Sequence, residues 1–179
     1  MTENVNSTWT IDLNHSEVQF KVKHLAVSNV AGIFKIFKGE VLCKAEDFDN
    51  AEISCEIDVD SIYTNQEKRD NDLRSPEFFD TEKFPKILFT GLLQKETDNY
   101  KLTGELTLRG IVKTVVMEAE FTGIGKGRFG DTRVGFEVTG KINRKDFGLT
   151  WNMLTEAGGF VIGDEIKLHF DIQLLKEKA

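Results

Sequence analysis

The chain has 179 residues and a formal net charge of −7, with 23 Lys and Arg against 30 Asp and Glu. That length suits one domain with its own core. The acidic balance, with no Lys/Arg cluster to offset it, excludes the basic stripe that grips nucleic acid or an anionic membrane surface.

The opening MTENVNST has no basic region and no apolar run. Residues 1–8 are expected to be a flexible N-terminus ahead of a single domain over 9–177. No signal peptide is expected, which points to the cytoplasm, or to the periplasm if a leader has been removed. No stretch approaches the roughly 20 apolar residues of a membrane span. From Trp9 onward the dominant signal is alternation. Trp9, Ile11 and Leu13 alternate with Thr10 and Asp12, and Val18, Phe20 and Val22 with Glu17, Gln19, Lys21 and Lys23. Each such segment is a strand with one wet and one dry face.

Asp12, His15 and Ser16 fall at the corner between these two strands. A nucleophile needs its base within hydrogen-bond reach and a third group orienting that base. Nothing around Ser16 forms a nucleophile elbow, so the three are read as a polar cap on a strand corner. His24 shares phase with Phe20 and Val22. It is either a satisfied core histidine or a polar group at a cavity mouth.

Val41, Cys43 and Ala45 form the next apolar set, followed by Ile53, Cys55, Ile57 and Val59. Both cysteines are in apolar phase and read as buried free thiols. Neither has a CxxC partner, and the three histidines lack ligand spacing, so no metal and no cofactor is expected.

From Asn65 to Phe89 the alternation breaks. Gln66–Leu73 is the best helical candidate, and Phe78, Phe79 and Phe84 follow it. A loop this long is an end cap, a ligand gate, or both. Strands resume with Ile87, Phe89, Gly91 and Leu93, then Leu102 to Leu108. Val115 to Phe121 and Val134 to Ile142 come next. Asp98-Asn99 marks a tight hairpin. The run GIGKGRFG (Gly123 to Gly130) lacks the strand-to-helix context of a phosphate loop and reads as a flexible hairpin. Asn143 to Phe160 is irregular and aromatic, either folded onto a rim or forming a second wall of an entrance. The last strand runs Ile166, Leu168, Phe170, Ile172, Leu174.

One antiparallel sheet of about eight or more strands tends to close on itself. Its interior either fills with side chains or holds one small ligand. Gly91, Gly104, Ala119, Gly140, Cys43 and Ala45 are small and in inward phase. With 14 Phe against two Tyr and two Trp, that favours a greasy tube, although packed barrels also use small residues to fit a taper.

These segments together resemble the YceI-like family, lipocalin-like barrels associated with polyisoprenoid and other long amphiphilic ligands. The carriers are WTIDLNHSEVQFKVKHL from Trp9, GIFKIFKGEV from Gly32, and SIYTNQEKRDNDLRSPEFFDTEKFPKILF from Ser61. LTGELTLRGIVKTVVME from Leu102, GFEVTGKINRKDFGLTWN from Gly135 and VIGDEIKL from Val161 complete the match. The resemblance implies an all-β fold: an eight-stranded antiparallel barrel with an apolar tunnel and a lid helix near Asn65–Leu73. It implies lipid binding and no established catalytic reaction. Two positions depart. Asp72 stands where the family often has His, and Arg128-Phe129-Gly130-Asp131 replaces an Asp-Pro-aromatic-Gly element.

The expected ligand is a long-chain amphiphile: a polyisoprenoid, an isoprenoid quinone or a fatty-acid derivative, carried, stored or sequestered. The expected tunnel lining is Phe20, Val22, Phe34, Phe37 and Phe89, with Leu106, Met117, Phe136 and Phe170. The expected rim is Phe79, Phe84, Phe147, Trp151 and Phe160, and the polar groups at the mouth are His24, Asn65 and Arg69. Two rivals stand beside this reading. One is an enzyme acting on a lipid-like substrate inside the barrel, with His15, His24, Asp70 and Asp72 as acid/base candidates. The other is a structural protein with a filled barrel. An exposed edge strand would support a homodimer.

Overall fold

Alternation obliges every strand to hide one face, and the strands do so by pairing antiparallel in chain order. The computed structural model describes residues 5–153 and 161–178. Its strands are β1 (Asn6–Ile11), β2 (Glu17–His24), β3 (Ser28–Phe34), β4 (Phe37–Lys44), β5 (Asp47–Asp58), β6 (Ile62–Tyr63), β7 (Lys86–Lys95), β8 (Tyr100–Leu108), β9 (Ile111–Lys126), β10 (Thr132–Asn143) and β11 (Ile162–Lys176). One α-helix, α1 (Glu67–Arg74), lies between β6 and β7. No helix among the described residues is long and apolar enough to cross a membrane.

The ring β1-β4-β5-β7-β8-β9-β10-β11 closes on itself where Trp9 pairs with Lys176 and Ile11 with Leu174. Three of its members are bent. A 3-10 turn at Leu13–His15 splits one strand into β1 and β2, and another at Val59–Ser61 splits β5 from β6. A break at Lys35–Ile36 separates β3 from β4. Beyond the breaks β2 pairs with β11 and β3, and β3 with β6. The result is the eight-stranded antiparallel barrel that the alternation and the resemblance imply.

Several local expectations change. β1 starts at Asn6, so residues 6–8 belong to the barrel. Leu13 leaves the dry phase because the 3-10 turn breaks the alternation, and it is exposed. Ala45 sits in the β4–β5 turn with φ 55° and is exposed, so it is not an inward residue. Gly123 and Gly125 extend β9, and the turn proper spans only residues 127–131. Ring closure leaves an exposed edge only beyond the ring: β6 is two residues long and pairs with β3 at Ile33 and Phe34 alone, so Ser28–Gly32 of β3 has β2 on one side and no ladder on the other among the described residues.

The corner at Asp12 is an electrostatic staple. Its carboxylate accepts hydrogen bonds from His15 Nδ1 at 2.8 Å, the Asn14 amide at 3.1 Å, Arg133 Nη1 at 2.7 Å and Gln173 Nε2 at 3.3 Å. The Ser16 hydroxyl instead exchanges hydrogen bonds with the Gln173 backbone at 2.9 and 3.4 Å, so no triad forms. Burial opposes charge on Asp12. The His15 hydrogen bond, the Asn14 amide and the charges of His15 and Arg133 outweigh that, and hold the carboxyl below its ordinary 3.8. A depressed folded-state pKa contributes stability above the unfolded value and loses it as pH falls through the folded one. Asp12→Asn is therefore expected to cost about 2 kcal/mol near neutrality. Thermal melts of the two proteins should converge as pH falls from about 4 toward 2.

Candidate functional site

An eight-stranded barrel is just wide enough to be filled by its own side chains or to hold a guest. Here Phe20, Leu106, Leu168, Phe170 and Ile172 pack against the core yet stay only half-buried, because they face open space. The lumen they line measures about 880 Å³. At roughly 30 Å³ per methylene, the volume of a water molecule in the liquid, it accommodates on the order of 25 chain carbons.

The inward glycines do not create this space directly. A Cβ on Gly32 would meet the Phe20 ring at 2.3 Å, and one on Gly104 would meet the Phe89 ring at 2.6 Å. A Cβ on Gly140 would meet Met117 at 2.6 Å. Bare backbone lets these large side chains lie flat along the wall, which keeps the centre clear.

The end at the β4–β5 and β7–β8 turns is sealed. Trp9 and Phe48 have ring centroids 5.3 Å apart, as do Phe48 and Phe136, and Tyr100 and Phe121 flank Phe136 at 5.7 and 5.5 Å. The opposite end is covered by α1, the segment after it, the β2–β3 hairpin and the residues around Trp151. That cover is tied down mainly by hydrogen bonds. Asp70, buried, accepts from the Thr64 amide at 2.8 Å and from its hydroxyl, while Arg69 donates to the same hydroxyl at 2.8 Å and to the Thr64 carbonyl at 2.7 Å. Arg109 donates to Pro76 O at 2.9 Å and Gly148 O at 2.8 Å, and so joins the segment after α1 to the Trp151 loop. Phe78 packs against Trp151 across the same junction, with the rings tilted and 5.1 Å between centroids.

Arg144 is 4% exposed and donates to the carbonyls of Gly163, Leu149 and Trp151. Burial pushes its pKa down, and Asp164 at 3.5 Å pulls it back up. It is a bracket for the loop rather than a free cation.

Removing the Arg109 bridge loosens the cover without touching the lumen wall. Arg109→Ala is expected to speed amide hydrogen exchange in the segment after α1 and in residues 148–153 roughly tenfold or more, while the barrel strands keep their protection, as read by hydrogen–deuterium exchange.

Of the expected tunnel residues, Phe20, Val22, Phe34, Phe89, Leu106, Met117, Phe136 and Phe170 lie on the cavity wall. Phe37 does not: it follows the β3–β4 break and packs into the solid core. Of the rim residues, Phe79 and Trp151 line the cavity. Phe147, the last residue of the 3-10 turn Arg144–Phe147, is buried at 1%, and Phe84 lies against Gly110; neither lines the cavity. Phe160 lies outside the described residues. His24 and Arg69 reach the mouth. Asn65 is exposed in a left-handed turn, φ 62°, and its side chain accepts from Tyr63 Oη at 2.8 Å.

The acid/base candidates are not brought together. His24 and Asp72 line the mouth, Asp70 is bonded to Thr64, and His15 belongs to the Asp12 corner. The wall also includes Ile53, Cys55, Ile57, Ile166, Leu168 and Ile172, none of them among the expected site residues although period two placed them inward. Burial first, and then the charge of Glu56, push the Cys55 thiol up to about 11.

A family model described as a YceI-like domain matches residues 9–174. A UPF0312 protein of Staphylococcus aureus is 37% identical over 162 residues, 90% of this chain and 93% of that protein. The YCEI protein of Campylobacter jejuni, crystallised for nanotechnology applications, is 32% identical with a TM-score of 0.69, covering 89% of this chain and 91% of that one. Burkholderia cenocepacia BcnA aligns with a TM-score of 0.78 at 21% identity, over 91% and 98% of the two chains. A polyisoprenoid binding domain from Saccharophagus degradans aligns at 0.69 and 15%, over 93% and 97%. The last two show likeness of fold.

Proposed function

The chain belongs to the YceI-like family, and from that premise we propose that it shields a long apolar chain from water inside the barrel. The ligand is a long-chain amphiphile of the polyisoprenoid, isoprenoid quinone or fatty-acid class, held for carriage, storage or sequestration. The single observation that carries this reading is the lumen of about 880 Å³, walled by apolar side chains and sealed at one end by aromatics. The binding named for the Saccharophagus degradans domain supports the ligand class.

The energetics need no charged clamp. Burial contributes roughly 0.8 kcal/mol per methylene, so a tail of about fifteen carbons gains on the order of 12 kcal/mol before the costs of association and ordering. Chain length therefore governs affinity more than the head group does.

Native mass spectrometry of gently purified protein, followed by titration with prenyl and fatty chains, tests the proposal. A chain-length-dependent mass shift is expected. Protein that stays empty through every titration would sink it. Cys55 supplies an independent readout. Its thiolate is scarce at neutral pH because the thiol titrates near 11, so maleimide labelling should be slow at pH 7 and accelerate toward pH 10. A bound chain should suppress that labelling.

A further inference from the structure

Three adjacent strands carry the same charge order on their outer face. β10 reads Glu137-Val138-Thr139-Gly140-Lys141, and β2 reads Glu17-Val18-Gln19-Phe20-Lys21. β11, between them and running the other way, reads Asp171-Phe170-His169-Leu168-Lys167. The register sets like beside like. Glu137 faces Asp171, which faces Glu17; Thr139 faces His169, which faces Gln19; Lys141 faces Lys167, which faces Lys21. Glu120 of β9 lengthens the acidic row beside Glu137. Because Val138, Phe170 and Val18 turn into the core, these charged positions turn outward.

This arrangement is unfavourable in a single copy. Like charges directly opposite on neighbouring strands repel. Along one strand the acid and its lysine are four residues apart, about 13 Å, too far to pair. His169 relieves part of the acidic row, at 2.9 Å from Glu137 and 3.7 Å from Asp171, and Lys141 lies 3.6 Å from Glu165. Lys21, Lys167 and Glu17 have no ion pair among the described residues.

We propose that this face docks on the same face of a second copy of the chain, about a two-fold axis running along the Thr139–His169–Gln19 row. Such an axis lays each strand antiparallel over its own counterpart and exchanges the two charged rows. Glu137 of one copy then meets Lys141 of the other, Asp171 meets Lys167, and Glu17 meets Lys21, each pair formed twice. The sign match about the central row is a property of the face itself, which is why the occupant is a second copy rather than an unrelated protein. The pattern ends at β9, where Glu118 lies beside Thr139 on the axis and approaches its own copy. Three strands at about 4.8 Å spacing make a small contact, so the dimer belongs to the transient, salt-sensitive class.

Sedimentation velocity and native mass spectrometry on the full chain test this. The wild type is expected to dimerise at low ionic strength and to dissociate in about 0.5 M salt. Lys21→Glu/Lys167→Glu reverses two of the three charges of the basic row, and Glu17→Lys/Asp171→Lys reverses the two acidic charges that those lysines would meet. Each variant alone should weaken self-association roughly tenfold or more, and an equimolar mixture of the two should restore a dimer with the mixed mass. All four side chains are exposed, and circular dichroism checks that each variant is folded. If a reversal impairs folding, Lys21→Ala/Lys167→Ala takes its place and should still weaken self-association. A wild type that stays monomeric at low salt overturns the proposal. So does a dimer indifferent to these changes, or a mixture of folded variants that fails to associate.

Discussion

Indole rings placed at Cys55 and Leu106 should shorten the longest chain the protein holds. These two residues flank Phe89 at one level of the barrel, since Cys55 pairs with Phe89 and Phe89 with Leu106. Both line the lumen. In Cys55→Trp/Leu106→Trp the rings narrow the middle of the cavity and bar a tail from the sealed half near Leu102 and Phe136. Excluding four methylenes forfeits about 3 kcal/mol, an affinity loss on the order of a hundredfold for long chains. Chains too short to pass the constriction should bind nearly as before. Because the added volume enters open space, the melting temperature should hold within a few degrees. Isothermal titration with a chain-length series, beside thermal melts, checks both halves. Overpacking a solid core instead costs about 1–3 kcal/mol per site. A steep fall in stability with binding intact would therefore locate the ligand elsewhere.

The second large effect concerns the seal. Trp9 is fully buried and pairs with both Val41 and Lys176, at the point where the ring closes. Its indole N–H donates to Ser7 Oγ at 3.1 Å, and Ser7 Oγ in turn donates to the Ala45 carbonyl. Trp9→Ala removes a large ring from the aromatic cluster and leaves a void beside Phe48. Truncations of this kind cost about 3–5 kcal/mol, which for a chain of this size lowers Tm by about 10 °C or more. Differential scanning calorimetry reads the loss. Trp9→Phe, which keeps most of the volume, should recover more than half of it.

The barrel was legible because period two has one physical cause: strand side chains alternate faces, so a half-wet strand shows its dry face in the sequence. The phases of β5, β10 and β11 follow directly, and so do most of the wall residues. Aromatic identity was a weaker guide. Phe37 and Phe147 carry the same composition signal as Phe20 and Phe170, yet both are packed into the solid core. A ring in inward phase can face a lumen or a neighbour, and only the strand breaks and loop paths decide which. The small-residue argument reached the hollow by an incomplete route, since Phe20, Phe89 and Met117 lie over the glycines.

Alternation, turn residues and the family's motifs therefore determined the all-β barrel, its strand count, its dry face and the position of the short helix. Tertiary structure alone decided that the interior is open, that one end is sealed by aromatics from five strands, and that Arg109 and Arg144 bracket the cover. It also set the acidic and basic rows abreast on the outer wall. The reason is that periodicity records only which face a residue takes. Vacancy, closure and cross-strand charge rows depend on register and on backbone carbonyls far apart in the chain, which local patterns do not encode.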